Sequence, residues 1–150
     1  MSTESLHSHA RGNSPFARRP VLTGIAVGIG SLLPHAFLPA AASLGFAAVL
    51  IALIAGIYFG FAVVNGSSRD QFVEFNVSGV FAVAGLLGLL YWPILLPLAY
   101  FGHAAWDLLH HNKWHLPLVA IPQWYVPWCV VIDVIVGTGL LILWRGNGLI

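Results

Sequence analysis

The densest chemistry in this chain lies in one short run. Gly102-His103-Ala104-Ala105-Trp106-Asp107-Leu108-Leu109-His110-His111 holds three imidazoles and a carboxylate. On a helix, positions three and four apart share a face. His103, Asp107, His110 and His111 therefore fall within one sector of such a helix. Neutral His and ionised Asp suit a divalent metal such as zinc or iron, and three or four such ligands suffice for one ion. The same groups suit a proton or ion relay, because imidazole titrates near neutrality. They also suit a role without chemistry, as hydrogen-bonding contacts between helices.

The elements that position this run follow from composition. Hydrophobic residues make up 59% of the 150 and charged residues 7%. A soluble domain carries about a quarter charged residues. So few charges cannot cover a water-facing surface, and lipid is the natural solvent. The expected fold is all-α, a polytopic transmembrane helix bundle. A span needs roughly 20 mostly apolar residues. Five segments meet or approach that: 20–37, 40–64, 72–91, 93–111 and 123–144. Residues 1–19 read as a disordered cytoplasmic tail and 20–150 as the transmembrane domain. Residues 65–71 and 112–121 read as polar loops. Pro34 and Pro39, then Pro93 and Pro97, mark two tight uncharged turns, since proline disfavours helix at the residue before it.

Basic residues set the orientation. With the N-terminus cytoplasmic, Arg11, Arg18, Arg19, Arg69 and Lys113 lie inside and Arg145 lies outside. That follows the positive-inside rule and predicts a multi-pass protein of a bacterial inner membrane. An alternative reads the first span as a signal peptide, with Arg18 and Arg19 before an apolar core and Ala40-Ala41-Ala42 as the cleavage site. The net charge of +1 and the absence of a basic run exclude nucleic acid as a partner. The single cysteine, Cys129, excludes an internal disulfide and a Cys-based zinc cluster.

Depth in the membrane predicts which polar groups meet. His103 stands about 12 Å inward of His111 at about 1.5 Å per residue, near the bilayer centre. Asp133 lies at matching depth in the last span, so His103 and Asp133 are the natural pair. Tyr125 and Cys129 share the helix face of Asp133. Glu74 and Asn76 begin the third span close in depth to His110 and His111, with Lys113 and His115 at the same rim. Glu74, Asn76 and Asp133 thus extend the set into a proton relay or polar cluster. Gly24 with Gly28, and Gly56 with Gly60, form small faces suited to helix contacts. Trp92, Trp114, Trp124, Trp128 and Trp144 lie near span ends, as in an aromatic belt.

Three resemblances arise. Asp107-Leu108-Leu109-His110-His111 resembles a His-x-x-His-His box of membrane desaturases and hydroxylases, with Asp107 in place of the first histidine. Those enzymes use about eight histidines, which puts a di-iron site within one chain in doubt. Ser31 and His35 match one element of the ceramidase-type membrane hydrolases, but their other elements are absent. His35 is expected at the outer interface. More broadly, the 102–111 segment with Pro122-Gln123-Trp124-Tyr125-Val126-Pro127-Trp128-Cys129 and Asp133 resembles a family of small bacterial membrane proteins of uncharacterised function. That resemblance covers the last third of the chain and implies no activity.

The function classes left open are three. The first is a metal-dependent enzyme acting on a lipid-soluble substrate. The second is a small proton-coupled transporter. The third is a structural subunit working as a homo-oligomer or beside a partner membrane protein. Membrane lipids are partners in each case.

Overall fold

The computed structural model describes residues 14–112 and 118–150. Among these, the chain forms six helices: α1 (Pro15–Arg18), α2 (Pro20–Phe37), α3 (Ala40–Asn65), α4 (Ser68–Leu90), α5 (Leu95–Asn112) and α6 (Tyr125–Gly146). Four of them, α2, α3, α4 and α6, are long and apolar enough to cross a membrane. Helix α5 has 18 residues but carries His103, Asp107, His110 and His111, which lower its mean hydropathy.

Exposure is inverted relative to a soluble protein. Leu22, Ile29, Leu33, Leu53, Val83, Leu86 and Ile142 are all more than half exposed, whereas Glu74, His103, Asp107, His110 and Asp133 are buried. Water would reverse that arrangement, and hydrocarbon accounts for it.

Short connections make consecutive helices alternate in direction. Between α3 and α4 stand only Gly66 and Ser67, where the sequence suggests a longer polar loop. The difference has a local cause. Ser67 and Asp70 form a capping box, in which the Ser67 hydroxyl accepts from the Asp70 amide at 3.3 Å and Asp70 Oδ2 accepts from the Ser67 amide at 2.8 Å. These bonds satisfy two donors at the helix start, so Ser68 to Gln71 join the helix. Gly66 is required there, because a Cβ would lie 2.7 Å from the Ala62 carbonyl oxygen. Within the expected N-terminal tail, residues 1–13 lie outside the described residues. The part that follows carries α1, capped by Ser14, and Phe16 meets the Trp128 ring edge-on at 5.9 Å.

Small residues let the backbones approach. Gly24 faces the Trp128 carbonyl and Gly28 faces Ile135, while Gly139 faces Leu32. The contacts advance together along both chains, so α2 and α6 run parallel. Gly85 meets Ala48, and Ser78 donates to the Ala55 carbonyl at 2.7 Å, which locks α3 and α4 antiparallel. Helix α5 packs on α6, α4 and α3, and Tyr100 donates to the Ala47 carbonyl at 3.0 Å. The expected contact at Gly56 and Gly60 is absent among the described residues, because open space surrounds both. Trp144 also departs from the belt pattern. It is buried in the core with Leu140, Val136 and Ile51. Trp92 is exposed, and Trp114 lies outside the described residues.

These contacts separate two glycine classes. Gly24→Val pushes a side chain against a backbone oxygen and should lower stability in detergent by about 1–3 kcal/mol. Gly56→Val meets nothing and should leave it unchanged. Thermal unfolding of both variants checks the contrast, and equal losses would contradict the packing.

Candidate functional site

Helix α5 is the hub because its polar residues recur every three or four positions, on the face turned towards α3, α4 and α6. The deepest group joins α5 to α6. His103 Nδ1 lies 2.7 Å from Asp133 Oδ2 and 3.7 Å from Asp107 Oδ1, so the two residues matched by depth are in contact. His103, Asp107 and Asp133 are all 0% exposed. One potential ligand atom from each of the three lies within 4.8 Å of the others. Each keeps an atom with no partner among the described residues: His103 Nε2, Asp107 Oδ2 and Asp133 Oδ1. Such orphans are costly in hydrocarbon.

Tyr58 completes the arrangement from α3. Its hydroxyl donates a short hydrogen bond to Asp107 Oδ1, which fixes that carboxylate and leaves Oδ2 free. Its ring meets His103 edge-on at 5.6 Å. Nothing in the spacing of the ionisable residues singles out Tyr58. Helix α3 is apolar all round, so helical phase in the sequence does not pick out its buried stripe of Ala47, Ala48, Ile51, Ala55, Tyr58 and Ala62. A tyrosine on that stripe must carry its hydroxyl into the bundle.

A second group sits nearer the end of α5. His110 Nε2 lies 2.9 Å from Glu74 Oε1, and Trp106 Nε1 donates to Glu74 Oε2 at 3.3 Å. The His110 and Tyr58 rings lie 4.5 Å apart, which joins this group to the deeper one. The four α5 residues that share a sector are thereby divided. His103 and Asp107 turn to the deep group, His110 turns to Glu74, and His111 is exposed. His110 and His111 also line a cavity of about 270 Å³ with Val119, Ile121, Gln123 and Val126. Asn76 stands apart from the cluster, exposed, with its amide donating to the Phe72 carbonyl at 2.7 Å. Two residues on from Glu74, it points to the opposite side of α4. Lys113 and His115 lie outside the described residues. Cys129 is buried beside Tyr58 and Tyr125.

The remaining polar contact lies at the opposite end of the bundle. His35 Nδ1 is 2.7 Å from Ser43 Oγ, and Trp144 Nε1 donates to the same oxygen at 2.9 Å. Ser31, the partner suggested by spacing, instead donates to the Val27 carbonyl at 2.9 Å. His35 lies at the end of the bundle away from His111, as expected, and is buried at 3% exposure.

Burial predicts how substitutions divide. His103→Ala strips Asp133 of its hydrogen-bond partner within the apolar interior. Interhelical hydrogen bonds in membranes average about 0.6 kcal/mol, but a buried carboxylate left without its partner costs more, so the loss should be about 3–5 kcal/mol. His111→Ala, at an exposed position, should leave stability unchanged. Unfolding in detergent measures both, and a larger loss at His111 would refute the assignment.

Comparison with known proteins yields a family and nothing more specific. No curated protein and no solved structure matches the chain. A family of unknown function (DUF6010) matches residues 19–146, which include every helix from α2 onward and all the polar groups described above. The chain therefore belongs to the DUF6010 family, whose function is unknown.

Proposed function

We propose that this is a five-span membrane protein in which His103, Asp107 and Asp133 hold one divalent cation, with Tyr58 positioning Asp107. The observation that carries the reading is the convergence of three buried ligand atoms within 4.8 Å of one another. Charge supports it. Two carboxylates and a neutral imidazole carry two negative charges, which a divalent ion neutralises in a setting without water. Three protein ligands with an open position is the arrangement of catalytic rather than structural zinc sites. Such an ion polarises an ester or carbonyl oxygen or activates a bound water. Its place inside a lipid-facing bundle suits a lipid-soluble substrate.

The fifth span is α5. Flanked by membrane-length neighbours, it turns its polar face inward and exposes Leu98 and Leu108. The basic residues favour a cytoplasmic N-terminus. The Glu74–His110 pair and the 270 Å³ cavity then lie on the cytoplasmic side.

A second reading is a proton path, favoured by one observation. Polar groups continue from Glu74 and His110 through Tyr58 to Asp107, His103 and Asp133. Metal analysis of the purified protein separates the readings. The metal reading expects about one divalent ion per chain, retained in His111→Ala and lost in Asp133→Asn. Tyr58→Phe should weaken the metal about 10- to 100-fold, the usual effect of removing a group that orients a ligand. Absence of metal, with proton flux that Asp133→Asn abolishes, would transfer the cluster to the path.

A further inference from the structure

At the end of the bundle opposite Glu74 and His110, a cavity of about 230 Å³ is lined by His35, Leu38, Ala40, Ser43, Trp144, Asn147 and Leu149. We propose that it binds the phosphodiester group of a membrane lipid, held by His35 Nε2 and the exposed amides at the start of α3.

The hydrogen-bonding roles follow from what each group can do. The Trp144 indole can only donate, so Ser43 Oγ accepts from it. The Ser43 hydroxyl has one proton, and its remaining partner is His35 Nδ1 at 2.7 Å. With that proton donated to Nδ1, the pairing that leaves no Ser43 group unused, the ring proton resides on Nε2. That N–H is buried and has no partner among the described residues. It is a donor, fixed in tautomer and orientation by two residues from other helices, on a ring that lines the cavity.

The start of α3 supplies further donors. Helix α3 has 26 residues and begins after Pro39 with no side-chain cap. The Ser43 amide already bonds the Pro39 carbonyl, but the first amides, from Ala40 onward, have no partner within the helix. Uncapped helix starts favour phosphate, through both the amides and the helix dipole. Ala40 places this start on the cavity wall. Among the described residues no Asp or Glu lines the cavity, and Arg145, next to Trp144, is exposed at the same end. Donors, dipole and charge all select an anionic acceptor.

The lipid source follows from the rim. Phe37, the last residue of α2, is 85% exposed, and Leu38, which follows it and lines the cavity, is 38% exposed. Apolar side chains there suit acyl chains below a headgroup at the membrane surface. This site is separate from the His103 group and does not depend on the metal reading.

The test uses the full chain in a maltoside detergent, titrated with short-chain phosphatidylglycerol, with diacylglycerol of the same chains, and with inorganic phosphate. Binding is read by native mass spectrometry and by the shift in unfolding temperature. Phosphatidylglycerol should bind and stabilise, while diacylglycerol should not. His35→Phe keeps a ring but removes the donor, and should weaken binding about ten- to hundredfold. His35→Gln, which restores an N–H near the Nε2 position, should recover part of it. Arg145→Gln, at an exposed position, provides a variant whose folding is not at risk and should also weaken binding. Equal binding of diacylglycerol, or no loss in either His35→Phe or Arg145→Gln, would overturn the proposal. Inorganic phosphate binding as tightly as the lipid would overturn the lipid source.

Discussion

Ionisable side chains enclosed without water must find one another, and the arrangement of this bundle follows from how they do so. Asp133 on α6 meets His103 on α5, Glu74 on α4 meets His110 on α5, and Tyr58 on α3 meets Asp107 on α5. Each contact selects a neighbour and a register for α5. Three helices are thereby tied to a fourth through polar groups, beside close packing such as Gly88 on Leu96 and Gly137 on Phe101. Only α2 is held differently, by Gly24 and Gly28 against α6 and by His35 at its far end.

Such contacts specify more than they stabilise. Apolar side chains gain little by leaving lipid for one another, so packing and hydrogen bonds must distinguish right from wrong pairings. Each bond is modest in energy, but leaving a buried carboxylate unpaired is not. A slip of α5 by one residue would turn His103 and Asp107 away from Asp133 and Tyr58. The polar groups thus penalise alternative registers far more than they reward the native one.

The sequence makes the larger features legible because hydrophobic runs, prolines and depth are one-dimensional. Long apolar segments locate the spans, and counting residues from their ends brings Asp133 level with His103. Helical phase is legible too where it is applied. Glu74 and Asn76 share a depth but, two residues apart, cannot share a face, and the structure separates them. Ser67 and Asp70 have the spacing of a capping box, yet their polarity resembles a loop. Contacts gathered from three helices are not legible. Nothing local connects Ser43 with Trp144, 101 positions away. His35 pairs with Ser43 rather than Ser31 because the α2–α3 turn folds Ser43 back onto it.

The polar face of α5 also bears on how the chain enters the membrane. Helices pass from the translocon into lipid by partitioning, and an aspartate at the centre of a span opposes that step by roughly 2.5–3.5 kcal/mol. With Asp107 and its histidines uncovered, α5 is a poor candidate to leave alone. Its partner Asp133 lies on α6, which is synthesised later. On the five-span reading, α5 would wait at the translocon, or at the edge of the α3–α4 pair, until α6 emerges and covers it. Such a pause would make assembly order part of the fold, with α6 releasing the helix made before it.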